Sequence, residues 1–566
     1  MAIVYPKKVN GKTYYYLREM ARVDGKPKMV SERYLGSAED IVAALGSREA
    51  AAAPQRTRHL AFGDVAAVWG MLGRLELVSI VDEVVGARRA DAGASVGTYL
   101  TLATLNRVVA PCSKLGFADW WATTAADRLT KIPGRVLDHR RFWDAMAAVR
   151  MDELAEIEQR LAVRMVQTFG LDASAVALDM TNFATYIDST NTRAEIAQRG
   201  KAKQKRSDLR LVGLGLVVTR DGGIPLLSHT YAGNKPDVTQ FPTMLAELGA
   251  RHHAVTSGHH ASPDMTVVFD AGQNSKANFA LLDSSGLHFV GSIPPAGYPD
   301  LLALHAKDRT PVDRDRYPGL TAIDTRHTVF DKDRRVVLTH SPTLHEGQSR
   351  GLDQTLAKAE AELTVLADTL ARGKTRRDRT SVEAHITSIV KDPWIKRILA
   401  WTLTGNTPTE HRLTWTIDHD ARAALEDELF GKRVLVTDRD DWPVLDIVAS
   451  YRSQSDAEFG FRQMKDPHIV SFSPMHHWTD HNIRVHTQTC VFALMVAHLL
   501  RRQADQAGLR LSVRELLDQL AGIQETVLIY PSTGGRPKAR RMLTETTPTQ
   551  NQLTQIFNLN RWAPRP

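Results

Sequence analysis

Residues 175–179 read Ala-Val-Ala-Leu-Asp and residues 265–270 read Met-Thr-Val-Val-Phe-Asp, so two apolar runs each end in a carboxylate. Short apolar runs rich in β-branched residues predict buried strands. An ionised carboxylate where a buried strand meets solvent is costly without a partner. A single Asp in such a place commonly caps the helix that follows. Two cases in one chain favour a carboxylate site formed by Asp179 and Asp270.

The segments around these runs supply the rest of the predicted core. A hairpin is predicted where two strand-like stretches flank the turn Asp221-Gly222-Gly223. The predicted order is strand, hairpin, helix, strand, helix and strand, which is a ribonuclease H-like order of antiparallel strands followed by parallel ones. The competing fold is a doubly wound nucleotide-binding sheet. It requires a Gly-rich turn after its first strand, where residues 180–183 read Met-Thr-Asn-Phe instead.

A third carboxylate stands in residues 451–465, YRSQSDAEFGFRQMK. Tyr451 and Lys465 each lie seven residues from Glu458, and on a helix that spacing returns nearly to the same face. We therefore expect Glu458 to border an open groove, with Tyr451 and Lys465 about two turns to either side. The alternative is a surface helix on which Glu458 forms an i,i+4 ion pair with Arg462.

Three carboxylates suit phosphodiester chemistry. Two Mg²⁺ or Mn²⁺ ions held by carboxylate oxygens stabilise both the attacking and the leaving oxygen of an in-line displacement. Lys465, Arg462 and Tyr451 would then position DNA phosphates on the same helix face.

Composition is consistent with a nucleic-acid partner. Lys and Arg total 72 against 64 Asp and Glu, a formal charge of +8 over 566 residues, which favours a polyanionic partner without proving one. We expect no membrane span, because no stretch approaches the roughly 20 apolar residues required, and no secretory signal. The two cysteines, Cys112 and Cys490, support neither a disulfide framework nor a zinc site, so a reducing cytoplasm is expected.

The periodicity divides the chain into six segments. We predict a small β-hairpin unit over 1–50, a helical domain over 60–168, the first part of an α/β ribonuclease H-like core over 170–295, a large α+β insertion over 296–440, the last part of the core over 441–505, and a C-terminal tail over 506–566. The part of this tail after Pro531 is rich in Thr, Pro and Arg, which predicts loose order. The helical domain is either a reader of DNA ends or a plain structural bundle.

At these residues the chain resembles the DDE transposases of cut-and-paste bacterial insertion sequences. The branch it resembles bears a Tyr-x2-Arg-x3-Glu-x6-Lys signature on the helix of its third acid. The matching pieces, spread over about residues 60–502, are Leu178–Thr181, Arg199–Lys201, Asp208–Leu209, Leu214–Val218, Ala232–Asn234, Asp237–Thr239, Phe269–Gly272 and Tyr451–Lys465. Gln454 stands where the signature has Arg, so a phosphate contact made there would fall to Arg452 or Arg462.

The resemblance implies an enzyme that cleaves DNA at insertion-sequence ends and joins those ends to target DNA. It implies that Asp179, Asp270 and Glu458 are the catalytic residues and hold the Mg²⁺ or Mn²⁺ ions. It also implies recognition of terminal inverted repeats by the helical domain, a homodimer in the DNA complex, and a bacterial cytoplasmic protein that is nucleoid-associated on DNA. Further DNA contacts are expected, as alternatives to a solvated basic loop, at Lys201, Lys203, Lys205 and Arg206.

Other interpretations stay open. A nuclease or resolvase of the same fold would share the acids and metals, and a transposase-derived protein that only binds DNA would not need them. His476, His477 and His486 indicate either a transition-metal site or structural histidines, and the lack of nearby Cys or a His-x3-His pair favours the second. Trp120 and Trp121 are expected to pack in the core rather than to stack on a base.

Overall fold

The structure is a computed structural model that describes residues 2–23, 26–49, 53–86, 93–201, 206, 208–256, 264–374, 376–531 and 538–564. Its N-terminal unit is an antiparallel sheet in the order β1-β2-β3 followed by one helix. The elements are β1 (Ala2–Val9), β2 (Lys12–Val23), β3 (Lys26–Gly36) and α1 (Ala38–Glu49). The sequence predicts a hairpin with its turn at Asp24-Gly25-Lys26-Pro27. The structure adds a third strand to that hairpin, and Asp24 and Gly25 lie outside the described residues.

A helical region follows, as the 3.6-residue periodicity predicts. Its elements are β4 (Arg56–Ala61), α2 (Gly63–Arg74), α3 (Leu77–Val85), α4 (Val96–Val109), α5 (Phe117–Ala122), α6 (Ala126–Thr130), α7 (His139–Ala147) and α8 (Met151–Phe169). Ser95 caps α4 by accepting a hydrogen bond from the Thr98 backbone N–H, and α8 ends at Gly170, whose φ of 57° favours glycine. Trp121 is buried and stacks on Phe117, which confirms its predicted core packing.

The next elements appear in the predicted order. They are β5 (Ala175–Thr185), β6 (Arg210–Thr219), β7 (Pro225–Ala232), α9 (Asp237–Thr256), β8 (Thr266–Phe269), α10 (Lys276–Ser285) and β9 (His288–Ile293). β5, β6 and β7 are antiparallel, and β5, β8 and β9 are parallel. Gly222 and Gly223 turn the β6–β7 hairpin with φ values of 94° and 65°, conformations that are strained for other residues.

The region expected as one insertion divides into two parts. Its elements are α11 (Pro299–Leu302), β10 (Thr310–Pro311), β11 (Thr321–Val329), β12 (Lys332–His340), α12 (Pro342–Ala371), α13 (Arg379–Ile389), α14 (Ile395–Ile398), β13 (Leu399–Thr404), β14 (Arg412–Ile417), α15 (His419–Leu429) and β15 (Lys432–Thr437). β15 pairs with β9, so the core sheet has nine strands in the order β10-β11-β12-β15-β9-β8-β5-β6-β7. Only α12–α15 and the β13–β14 hairpin enclose a separate apolar core.

The C-terminal part is folded, and this includes residues 538–564, where the sequence predicts a loosely ordered tail. Its elements are α16 (Val444–Arg452), α17 (Gln454–Met464), α18 (Asp480–Gln506), α19 (Val513–Ala521), β16 (Gln524–Ile529), β17 (Ala539–Leu543) and α20 (Pro548–Ile556). β16 pairs with β4, and the two strands are far apart in sequence. The Thr, Pro and Arg content that indicated disorder instead includes the Thr547 cap of α20.

Helix α18 packs on β7 and α4, as its apolar face predicts. Among the described helices it is the one long and apolar enough to cross a membrane, yet 94% of its apolar window is buried inside the protein. Burial on this scale is typical of the central helix of a folded core.

Candidate active site

The first two acids lie side by side. β5 and β8 are parallel, and Ala177 is level with Val268. Continuing that register by two residues places Asp179 level with Asp270. Side chains alternate with a period of two and neighbouring strands lie about 4.8 Å apart, so the two carboxylates share one face of the sheet. Both residues are half-buried.

Asp179 sits in a polar setting that the sequence did not reveal. Its Oδ1 accepts a hydrogen bond from the Met180 backbone N–H at 2.7 Å. Nearby, the Tyr231 hydroxyl donates to Asp237 Oδ1 at 2.8 Å. Burial, followed by the charges of Asp237 and Asp179, raises the pKa of Tyr231, so its hydroxyl stays protonated beside the first acid. Asp237 therefore lies beside the site. The sequence offered a signal for this residue, because Asp237–Thr239 is one of the segments that match the transposases the chain resembles.

Asp270 also performs the capping role that the sequence left open. It is the N-cap of a one-turn 3-10 helix over Ala271–Gln273, and its Oδ1 accepts from the Gly272 backbone N–H at 2.8 Å. A Cβ atom added at Gly272 would lie 2.9 Å from that oxygen. The backbone around Gly272 thus orients the carboxylate from one side.

The segment that carries Glu458 is two helices rather than the single helix that the spacing of Tyr451, Glu458 and Lys465 predicts. α16 ends at Arg452 and α17 begins at Gln454. Between them the Ser453 backbone N–H bonds to the carbonyls of both Ala449 and Ser450, and its hydroxyl donates to the Ser450 carbonyl at 2.6 Å. A serine hydroxyl that competes for a helix carbonyl interrupts the regular ladder, a local effect that periodicity does not detect.

Both ends of this segment are attached to the sheet next to the aspartates. The Tyr451 hydroxyl donates to Ser292 Oγ at 3.0 Å. Ser292 is level with Asp270, because Phe269 pairs with Gly291 one residue earlier. At the other end, Lys465 Nζ donates to Thr181 Oγ1 at 2.8 Å. Tyr451 and Lys465 are therefore attached to the sheet on either side of the aspartate pair.

Glu458 itself is exposed on α17. Within the part of the chain that the structure describes it makes no ion pair, so the predicted alternative pair with Arg462 does not form. The Arg462 guanidinium lies 5.6 Å from the Phe459 ring centroid instead. Gln454, at the signature's Arg position, is buried, and Arg452 is exposed with its guanidinium 4.3 Å from the Tyr317 ring centroid.

The aspartate pair fits a divalent cation, because Mg²⁺ and Mn²⁺ prefer carboxylate oxygens. Across the described residues, however, no group of three or more His, Cys, Asp or Glu side chains is close enough to hold one. Glu458 is therefore not gathered with Asp179 and Asp270 in this conformation.

The structure describes two of the four basic residues that are predicted to contact DNA near the first acid. Lys201 is exposed, and its backbone carbonyl accepts from Asn182 Nδ2 at 3.0 Å, three residues beyond Asp179. Arg206 is exposed and forms a 2.7 Å ion pair with Asp208. Lys203 and Lys205 lie outside the described residues.

The histidine interpretation is resolved in favour of a structural role for His486. Its Nε2 lies 2.8 Å from the Phe472 carbonyl oxygen. Burial, followed by the charge of Arg107, lowers its pKa well below the ordinary value. His486 is thus a neutral core residue.

Residues 179–474, a little over half of the chain, match the family described as "Transposase DDE domain". No curated protein matches. A cryo-EM structure of the piggyBac transposase synaptic complex with hairpin DNA aligns at 9% identity with a TM-score of 0.37, covering 81% of this chain and 79% of that chain. The family match begins at Asp179 and includes Asp270 and Glu458, and this chain belongs to the DDE-domain transposases.

Proposed function

We propose that this DDE transposase cleaves DNA at the ends of a bacterial insertion sequence and joins those ends to target DNA, with Asp179, Asp270 and Glu458 as its catalytic carboxylates. The observation that carries the proposal is the register of β5 and β8, which sets Asp179 level with Asp270. The attachment of Tyr451 and Lys465 beside that pair supports the role of the segment that bears Glu458.

We also propose that the core is ribonuclease H-like. The strand order β7-β6-β5-β8-β9, with three antiparallel strands followed by two parallel ones, supports this assignment. The carboxyl ends of parallel strands are where a sheet of this kind presents its functional groups. Asp270 directly follows β8, and Asp179 lies on β5 just beyond the last residue that pairs with β8.

DDE transposases use divalent metal ions, which would supply stabilisation of the attacking and leaving oxygens in phosphodiester displacement. We propose two Mg²⁺ or Mn²⁺ ions, held by the aspartate pair and completed by Glu458 when DNA is bound. Lys465 would hold a DNA phosphate near Asp179, since its ammonium already lies against the strand that carries Asp179. Tyr451, Arg452 and Arg462 would bind phosphates along the same groove.

The proposed partners are terminal inverted repeats and target DNA, bound by a homodimer in the bacterial cytoplasm and nucleoid. The formal charge of +8 supports a polyanionic partner. Lys201 and Arg206 are exposed and are proposed, with Lys203, as phosphate contacts. We further propose that residues 60–168 read the DNA ends and that the separate core over α12–α15 contacts them.

The test uses purified protein, Mg²⁺ or Mn²⁺, and labelled DNA from the ends that flank its own gene. Wild type should cut at the ends and join them to target DNA, whereas Asp179→Ala, Asp270→Ala and Glu458→Ala should bind the ends and do neither. Mutants that cut as well as wild type would show that the assigned site is wrong. Cleavage without joining would favour a nuclease, and binding without cleavage would favour a protein that only binds DNA.

A further inference from the structure

A cavity of about 570 Å³ lies between the α4–α5 loop, α7 and the segment that leads into α18. The described residues that line it include Arg107, Lys114, His139 and His477, and none of them is Asp or Glu. The cavity therefore has a basic wall in which His477 is neutral, because burial lowers its pKa to about 3. Two acids stand just outside the lining: Asp138 lies 3.8 Å from His139, and Asp480 is in the first turn of α18.

Two of its polar side chains are buried without a hydrogen-bonding partner. Lys114 is 7% exposed and His477 is 8% exposed. Within the described residues neither side chain makes a hydrogen bond or an ion pair, and the Lys114 ammonium lies 5.7 Å from the Phe142 ring centroid. Burying a charge without a partner is costly. Burial, followed by the charge of Arg107, lowers the pKa of Lys114 to about 7, so an anion in the cavity would restore its full charge.

Arg107 fixes the shape of the cavity. Its guanidinium donates to the carbonyls of Cys112, Ser471, Ser473 and Pro474, at 2.9 to 3.2 Å. These carbonyls belong to two different walls, so one buried side chain holds both walls together. The third contribution comes from the N-terminus of α18, where Thr479 and Asn482 line the cavity. The positive end of a 27-residue helix favours an anion there.

The rim is aromatic. Trp143 is 44% exposed and Trp478 is 53% exposed, and both line the cavity. Large exposed aromatic rings beside a cationic groove are the features that bind nucleotide bases and phosphates together. A second cavity of about 480 Å³ shares His477 and Trp478 and extends to Tyr186, the residue after β5. The two cavities thus adjoin at His477 and Trp478, and the second one reaches the end of the strand that carries Asp179.

We propose that this cavity binds one unpaired nucleotide of a DNA strand, with its phosphate against Lys114 and His477 and its base against Trp478. The proposal rests on the proposed transposase function and adds to it a site for single-stranded DNA outside the carboxylate centre. A free deoxynucleoside monophosphate offers the same chemistry and is the alternative source.

The test compares two fluorescein-labelled probes, a short single-stranded oligothymidine and a blunt duplex, by fluorescence anisotropy. The proteins are wild type, Lys114→Met, Trp478→Ala and the control Lys12→Met, whose side chain is exposed on β2, outside every region proposed to contact DNA. We expect Lys114→Met and Trp478→Ala to weaken oligothymidine binding about tenfold, with duplex binding unchanged. The control should match wild type for both probes. Since Trp478 is at the surface, Trp478→Ala decides the question if Lys114→Met fails to fold.

Unchanged oligothymidine binding in Trp478→Ala and in folded Lys114→Met would overturn the proposal. A different outcome would point to the free nucleotide. If thymidine monophosphate raised the melting temperature of wild type but not of Lys114→Met, while all proteins bound oligothymidine equally, the cavity would bind a free nucleotide and not a DNA strand. Failure of the pocket leaves cleavage of duplex ends intact, whereas a wild type that binds neither probe would contradict the proposed transposase function itself.

Discussion

Lys465 donates a hydrogen bond from Nζ to Thr181 Oγ1 at 2.8 Å, so the end of α17 is joined to the strand that carries Asp179. Thr181 is 3% exposed and lies two residues beyond Asp179, on the same face of β5. The contact couples the position of the Glu458 helix to that of the first acid.

Replacing Thr181 by Val should therefore loosen α17. Hydrogen bonds to charged groups contribute about 1.5–3 kcal/mol, and we expect Thr181→Val to lower the free energy of unfolding by about that amount and to slow end cleavage more than end binding. Thr181→Ser retains the hydroxyl and should keep most of the cleavage rate. Urea denaturation and a timed cleavage assay measure the two effects. Equal cleavage by Thr181→Val and wild type would mean that this contact does not position the helix.

Gly272 offers a way to disturb the second acid without removing it. A Cβ at Gly272 would lie 2.9 Å from Asp270 Oδ1, which is too close for an unstrained contact. Gly272→Ala should turn the carboxylate away and reduce metal-dependent cleavage by at least about tenfold while the fold is retained.

The matched control is Gly249→Ala on α9, where the added Cβ meets nothing within 4 Å. Because Ala is favoured over Gly in a helix by about 1 kcal/mol, this control should be slightly stabilised and fully active. Cleavage rates and far-ultraviolet circular dichroism of the two variants give the comparison. Full activity in Gly272→Ala would argue against Asp270 as a metal-binding residue.

The aspartate pair could be predicted because each acid directly follows an apolar strand run, a pattern that is local in sequence. The order of strands from β5 to β9 followed from the same local patterns. By contrast, the pairing of β15 with β9 joins residues more than 130 positions apart, and nothing in either strand identifies its partner. The predicted insertion was therefore too large, and only its separate core over α12–α15 stands apart.

The break at Ser453 and the folded C-terminal segment were missed for related reasons. A serine that bonds to a helix carbonyl interrupts the helix through one side chain, while the heptad spacing of Tyr451, Glu458 and Lys465 stays intact. β16 is held in the fold by pairing with β4, which lies near the other end of the chain. Composition alone does not report such a distant partner.

Asp64 should make stability depend on pH. It is buried at the start of α2, and burial raises its pKa from 3.8 to about 6, opposed by its hydrogen bond with the Val65 backbone N–H. Between those two values the folded state binds more protons than the unfolded state, so stability falls as pH rises from about 4 through about 6. Above about pH 7, this difference in the pKa of Asp64 between the folded and unfolded states lowers the free energy of unfolding by about 3 kcal/mol.

Asp64→Asn removes this titration. The stability difference between Asp64→Asn and wild type should therefore shift by about 3 kcal/mol in favour of the variant between about pH 4 and about pH 8. Comparing the same two proteins at both pH values cancels any constant cost of the amide. Urea denaturation at each pH measures the change, and an equal difference at both would mean that Asp64 is ionised in the folded protein.

Glu525 tests whether the C-terminal segment is part of the fold. Its carboxylate is fully buried on β16, where it accepts from Arg128 Nε at 2.9 Å and also pairs with Arg541. Arg128 belongs to α6 and Arg541 to β17, so one carboxylate connects the helical region to the end of the chain.

Removing one member of a buried charge cluster leaves the others unpaired, which costs about 3–5 kcal/mol. Glu525→Ala should lower the free energy of unfolding by that amount, whereas Glu545→Ala, at an exposed position, should change it by less than about 0.5 kcal/mol. Thermal and urea denaturation separate the two variants. If both variants behaved like wild type, the buried ion pairs of Glu525 would not stabilise the fold, whereas a selective loss in Glu525→Ala would show that the C-terminal segment contributes to it through these pairs.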